Sequence, residues 1–182
     1  MLMTERKVSF MVNDSISGLQ LSHLGISVSN IESSTDFYVK ALGFERGSTR
    51  GGGPEYSDLT GLPDSVFKNR FLVKDGVTIE LVQFIKPAPS PDVIPKPFNK
   101  FGLTHLSFRV SDVDEVARRI EEHGGSILEG AVYEGNIEAP TEAAKGGEKN
   151  VWHEERSRII FCLDPDGVRV ELMQLPDWVH FI

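Results

Sequence analysis

LSHLGISVSNIESSTDFYVKALGF, from Leu21 to Phe44, returns later in the chain as LTHLSFRVSDVDEVARRIEEHGGS, from Leu103 to Ser126. The two stretches align without a gap at an offset of 105 − 23 = 82, which sets His23 on His105, Ser29 on Ser111 and Gly43 on Gly125. A second pair follows: FLVKDGVTIELVQ, from Phe71 to Gln83, matches CLDPDGVRVELMQ, from Cys162 to Gln174, at an offset of 171 − 80 = 91. Here Gly76 falls on Gly167, Glu80 on Glu171 and Gln83 on Gln174. Internal repetition fixes architecture more firmly than any local pattern. The second copy carries 91 − 82 = 9 extra residues, and the stretch from Glu129 to Ser157, rich in Gly, Glu and Lys, accommodates them.

Periodicity names the elements of each copy. Leu24, Ile26 and Val28 alternate with His23, Gly25 and Ser27, and Leu106, Phe108 and Val110 alternate with His105, Ser107 and Arg109, so each copy opens with a strand apolar on one side. Ser29 or Asn30, and Ser111 or Asp112, cap helices whose apolar positions are Ile31, Phe37, Tyr38, Ala41 and Leu42 in one copy and Val113, Val116, Ala117 and Ile120 in the other. Gly43 and the Gly124–Gly125 pair stop them. An earlier strand within Glu45–Leu59 or Ser126–Val132, then a hairpin around Lys74-Asp75-Gly76 or Asp164-Pro165-Asp166-Gly167, completes a βαβββ order. The expected organisation is an extension over 1–20, module 1 over 21–85, a proline-rich linker over 86–102, module 2 over 103–175 and a tail over 176–182. The fold class is α+β, with two tandem βαβββ modules.

Alternation also assigns side-chain direction. In the closing strands, Thr78, Glu80 and Val82 oppose Val77, Ile79 and Leu81, while Arg169, Glu171 and Met173 oppose Val168, Val170 and Leu172. If first and last strands are neighbours, each module presents an imidazole and a carboxylate on its polar side, and pairing the modules brings His23, Glu80, His105 and Glu171 together. Two imidazole nitrogens and two carboxylate oxygens suit Zn²⁺, Ni²⁺, Mn²⁺, Fe²⁺ or Co²⁺ at about 2.0–2.2 Å.

These residues resemble the vicinal oxygen chelate superfamily, which includes glyoxalase I, methylmalonyl-CoA epimerase, extradiol dioxygenases and the fosfomycin and bleomycin resistance proteins. HLGISVSNIESSTDFYVKALGF, HLSFRVSDVDEVARRIEEHGG and DPDGVRVEL carry the resemblance, which runs from Leu21 to Leu175. It implies paired modules curled around a divalent metal, with His23, Glu80, His105 and Glu171 at the ligand positions, a set similar to that of bacterial glyoxalase I. It further implies a lyase or isomerase that chelates a small oxygen-rich substrate and transfers a proton through a metal-bound enolate, with Glu171 first and Glu80 second as the proton carrier. An Fe²⁺-dependent extradiol-type dioxygenase and a non-catalytic drug-binding resistance protein are the alternatives. The sequence departs from bacterial glyoxalase I in having Ser27 where an Arg holds the glutathione carboxylate and Phe84 where an Asn stands.

Three further residues are candidates for substrate contact. Arg109, on the polar face with His105, suits an anion; Ser27 stands at the equivalent place in the first module; His153, in the inserted stretch, suits a lid or a proton shuttle. RGGGPEY, from Arg50 to Tyr56, lacks the lysine and the strand-to-helix setting of a phosphate loop and reads as a flexible loop.

Composition narrows the partners. The 182 residues hold 19 Lys+Arg against 27 Asp+Glu, a net charge of 19 − 27 = −8, with 40% apolar residues. That balance disfavours nucleic acid and anionic membranes, and no apolar run approaches the ~18 residues of a membrane span. The N-terminal stretch is no convincing secretory signal, since Asn13 and Asp14 interrupt its apolar run. A cytoplasmic homodimer acting on a small molecule is expected. Cys162, alone between Phe161 and Leu163, reads as a buried thiol.

Overall fold

A computed structural model describes residues 19–89, 96–135, 157–177 and 179. The first module runs β1 (Leu24–Ser27), α1 (Ile31–Lys40), β2 (Glu45–Gly52), a 3₁₀ turn (Pro54–Tyr56), α2 (Ser57–Thr60), β3 (Val66–Lys74) and β4 (Val77–Lys86). The second runs β5 (Leu106–Arg109), α3 (Val113–Glu122), β6 (Ser126–Gly135), β7 (Ser157–Leu163) and β8 (Arg169–Gln174). Each folds into a four-stranded mixed sheet, ordered β1-β4-β3-β2 and β5-β8-β7-β6. First and last strands are parallel neighbours in both sheets, with Gly25 opposite Glu80 and Ser107 opposite Glu171.

The helix of each module is the crossover that a parallel pair demands. Asn30 and Asp112 cap α1 and α3, their side chains accepting from Glu32 and Ser33 N–H and from Asp114 and Glu115 N–H. A second cap comes from the sheet. Gln83 Oε1 accepts from Ile31 N–H and Gln174 Oε1 from Val113 N–H, both at 3.0 Å. Gly43 and Gly124 end the helices at φ of 74° and 91°, a region that favours glycine.

A single apolar cluster draws on both modules, from Ile26, Phe37, Tyr38 and Leu72 in one to Ile120, Cys162, Val170 and Leu172 in the other. Gly125 makes this approach possible, because a Cβ there would meet Leu163 O at 2.5 Å and Phe37 Cε2 at 2.8 Å. Polar contacts lock the same seam: Ser29 N–H and the Ser34 hydroxyl donate to Asp166, and the buried Tyr38 hydroxyl donates to Asp164 at 2.9 Å. Burial pushes the Cys162 thiol up to about 11, in keeping with an inert core side chain.

The strand expected within Glu45–Leu59 is β2, which ends at Gly52 because Pro54 has no N–H for a ladder and opens a 3₁₀ turn that leads into α2. Two expectations are corrected. RGGGPEY is not a loop: Arg50, Gly51 and Gly52 pair with Asn69, Lys68 and Phe67. Glycine is needed at position 52 because a Cβ would strike the Tyr56 and Phe67 rings, which pack edge to face at 5.6 Å. The closing repeat also slips by one residue before its turn. Phe71 faces Glu80 and Phe161 faces Glu171, so Phe71 corresponds to Phe161 rather than to Cys162. The cause is turn length: Asp75-Gly76 closes the first hairpin with two residues, whereas 164–168 closes the second with a loop in which Asp164 Oδ1 accepts from Asp166 and Val168 N–H. Most of the inserted stretch, residues 1–18 of the N-terminal extension and part of the linker lie outside the described residues.

Asp164 has a pH signature. Burial pushes its carboxyl up to about 6, overcoming the opposing hydrogen bonds from Val168 N–H, Tyr38 and Asp166 N–H. A folded-state value above the unfolded one means that folding favours the proton, so the contribution is complete below about pH 4 and is lost as pH rises through 6. The unfolding free energy of wild type in urea, relative to that of Asp164→Asn, should therefore fall by an amount on the order of 3 kcal/mol between pH 4 and 7. Parallel pH profiles would contradict this.

Candidate functional site

On each closing strand the carboxylate and the capping glutamine lie three residues apart, and alternation sends them to opposite faces. Gln83 and Gln174 point to the helices, and Glu80 and Glu171 point to the polar side, where the first strand delivers a histidine. His23 Nε2 lies 3.1 Å from Glu80 Oε2, and His105 Nε2 lies 3.4 Å from Glu171 Oε2. Two ligands of one cation at about 2.1 Å stand about 3.0 Å apart at a right angle and about 3.4 Å apart at a tetrahedral angle. Both pairs therefore have the spacing of adjacent ligands, and their donor types match a borderline divalent ion.

The duplication extends into the surroundings of each imidazole. The Ser22 hydroxyl lies 3.0 Å from His23 Nδ1, and the Thr104 hydroxyl lies 2.9 Å from His105 Nδ1. A partner at Nδ1 fixes the ring and leaves Nε2 turned to the carboxylate. Phe71 packs edge-on against His23 and Phe161 edge-on against His105, each at 5.4 Å. Thus Ser22, His23, Phe71 and Glu80 repeat as Thr104, His105, Phe161 and Glu171. The hydroxyls and rings were missed in the sequence reading, although the 82-residue offset of Ser22 and Thr104 signals the first pair.

The carboxylates differ in their second contacts. Glu80 accepts from the Asn69 side-chain amide. Glu171 accepts from the Ser107 hydroxyl at 2.6 Å, where the first module has Gly25. Among the described residues, no three of His, Cys, Asp and Glu gather as a metal-holding group. The chain brings the four expected ligands together as two pairs.

Arg109 and Ser27 occupy equivalent places with different surroundings. Ser27 is exposed on β1. The Arg109 guanidinium donates to the carbonyls of Leu175, Pro176 and Val179, clasping the tail, and borders an open pocket of about 620 Å³ shared with Ser111, Gln174 and Asp177. His153 lies outside the described residues. The sheet places another cation, Arg169, two residues before Glu171 and on the same face. Strand alternation exposes that juxtaposition in the sequence.

The family model of the Glyoxalase/Bleomycin resistance protein/Dioxygenase superfamily matches residues 20–172. No curated protein matches the chain. Among solved structures, a glyoxalase family protein from Bacillus cereus is 20% identical, with a TM-score of 0.64 over 90% of this chain and 97% of that one. The fosfomycin resistance protein FosX from Listeria monocytogenes, in complex with Mn(II) and sulfate, is 18% identical, with a TM-score of 0.50 over 89% of this chain and 95% of its own. A mutant glyoxalase I from Zea mays is 20% identical, with a TM-score of 0.54 over 85% of this chain and 44% of its own.

Arg109→Ala removes the donors that hold the carbonyls of Leu175, Pro176 and Val179. We expect a loss of about 1–2 kcal/mol in urea unfolding and faster carboxypeptidase trimming of the C-terminus. Unchanged trimming would show that the clasp does not hold the tail.

Proposed function

Since the chain belongs to the glyoxalase/bleomycin resistance protein/dioxygenase superfamily, we propose that it is a divalent-metal enzyme whose centre joins one half-site from each of two chains. One observation carries this reading: the twofold constellation of hydroxyl, imidazole, phenyl ring and carboxylate, with His–Glu spacings of 3.1 and 3.4 Å. A lone surface ion pair has no reason to recur with its orienting hydroxyl and its aromatic wall.

Two features support assembly from separate chains. The strands that directly follow the histidines, β1 and β5, are edge strands, each with one hydrogen-bonded neighbour among the described residues. Exposed apolar residues lead into both edges at matching positions: Leu19 and Leu21 are 72% and 85% exposed, and Phe101 and Leu103 are 100% and 77% exposed. Open edges and exposed apolar side chains are unfavourable unless covered. Setting β1 of one chain beside β5 of another covers both and brings the half-sites face to face, in a closed twofold arrangement.

His23, Glu80, His105 and Glu171 would then hold the ion, and FosX from Listeria monocytogenes, solved with Mn(II), shows a protein of this fold carrying a divalent ion. The ion supplies Lewis acidity toward a chelating carbonyl. The chain's own carboxylates do the proton work. Glu171 is assigned the transfer, because its second contact is a rotatable hydroxyl on Ser107, whereas the Asn69 amide holds Glu80 from the neighbouring strand. Phe71 and Phe161 each brace one side of an imidazole. The reaction class is proton transfer at a carbon beside a carbonyl, in the manner of a lyase or isomerase.

Complementation tests the assembly. His23→Ala/Glu80→Ala and His105→Ala/Glu171→Ala chains should each dimerise and retain almost no metal. Refolded together at equal amounts, they should recover about a quarter of wild-type metal content, since a mixed pair rebuilds one intact centre. Absence of recovery would defeat the shared-centre reading. Loaded wild type should also exchange the C–H next to the carbonyl of 2-oxo thioesters or hemithioacetals with solvent deuterium, followed by NMR. Oxygen uptake with catechols in place of exchange would overturn the reaction class.

A further inference from the structure

Arg169 opens β8 on the face that carries Glu171, and it is 6% exposed. Its guanidinium carbon lies 4.1 Å from the centre of the Phe98 ring. That ring contacts Phe161 at 4.9 Å and His105 at 6.3 Å, both edge-on, so Arg169 shares a wall with the second half-site. Its buried Nε has no hydrogen-bond partner, and among the described residues the side chain makes no ion pair. An arginine in such a place is unusual: its buried Nε–H has no acceptor, and stacking on Phe98 does not supply one. Among the described residues several other arginines are ion-paired or bonded: Arg70 pairs with Glu32, Arg118 with Glu115 and Glu122, and Arg109 holds backbone carbonyls, while Arg158, whose Nε also lacks a hydrogen-bond partner, is paired with Asp114 and Glu134. The duplication sharpens the point, since the equivalent position in module 1 is Thr78 and asks for no anion.

We propose that Arg169 is the recognition residue for a carboxylate on the substrate, so that the substrate class is small carboxylic acids with a neighbouring oxygen available for chelation. This rests on the metal-centre reading above and gives it a substrate class. The planar fork of a guanidinium matches a carboxylate through two parallel hydrogen bonds. Charge selects a monoanion. Two glutamates balance a divalent ion, and one arginine balances one carboxylate, whereas a dianionic phosphate leaves surplus negative charge beside Glu171. Arg109, the other cation on this face, has its donors committed to the tail, so the two arginines divide into a clasp and a free recognition group.

The test uses the full-length protein with pyruvate and its methyl ester as probes, and ¹⁵N-arginine labelling to observe the Nε–H of Arg169, assigned by its loss in Arg169→Lys. The expected result is a shift of that signal with pyruvate and none with the ester. Arg169→Met, which keeps the packing on Phe98, should bind pyruvate at least tenfold more weakly in the Mn(II)-loaded dimer, with metal content and dimer mass unchanged. A signal that pyruvate leaves in place, together with wild-type affinity in Arg169→Met, would overturn the proposal and leave Arg169 a packing cation. Loss of dimer or metal in both Arg169→Met and Arg169→Lys would overturn it as well, by assigning the guanidinium to a carboxylate of the scaffold. If wild type takes up no Mn(II) but pyruvate still shifts the signal in metal-free protein, the metal reading fails and the carboxylate site stands.

Discussion

Parallel pairing of the first strand with the last, in each module, is the constraint on which the remaining structure depends. Such a pair needs a crossover, the crossover is a helix, and the helix takes one face of the sheet. The apolar side chains of β1 and β4 must face it, as the burial of Ile26, Ile79 and Leu81 shows. With a side-chain period of two, everything between them is turned to the opposite face. His23 and Glu80 meet there because the core has claimed the other side. Gln83, an odd number of residues beyond Glu80, is returned to the core side and caps the helix. One strand therefore serves the helix and the polar face with residues three apart.

Duplication gives the molecule two such faces, and their differences are informative. The second module's turn supplies Asp164 and Asp166 to α1 of the first, a service its own counterpart around Asp75-Gly76 does not return. This fixes the seam between modules through one helix and one loop. On the polar faces, Arg109 and Arg169 stand where the first module has Ser27 and Thr78. A centre built from unlike halves suits a substrate with unlike ends, neutral toward one wall and anionic toward the other.

Most of this was legible in the sequence because it follows from period and repetition. Strand faces, helix caps narrowed to Ser29 or Asn30 and to Ser111 or Asp112, the turn around Lys74-Asp75-Gly76 and the His–Glu pairs all derive from local pattern plus one assumption, that first and last strands are neighbours. What was not legible depended on three-dimensional approach. The glycines at 51 and 52 looked like loop residues, and only the closeness of Tyr56 and Phe67 explains their place in a strand. The one-residue slip between Phe71 and Phe161 is set by turn length, which a gapless alignment absorbs without trace. Arg109 shares a face with His105, which makes it a candidate for an anion by pattern alone; that its donors turn to backbone carbonyls near the tail is a tertiary fact. Arg169 was visible on the same face, but burial and lack of a partner distinguish it, and neither is written in the local sequence.

Dividing a centre between chains has an energetic consequence of its own. The apolar core here lies within one chain and does not need the polar faces, so the fold and the centre can be perturbed separately. The edges at β1 and β5 are different, because in the proposed assembly covering them and gathering the four ligands are the same event. If an ion is held by side chains from both chains, the free energy by which assembly tightens the ion equals that by which the ion tightens assembly. Orientation then becomes the quantity that the surrounding residues set. The hydroxyls of Ser22 and Thr104 and the rings of Phe71 and Phe161 hold each imidazole before a partner arrives, so assembly need not also order the histidines. Their recurrence at both half-sites is what preorganisation of two separately folded halves requires.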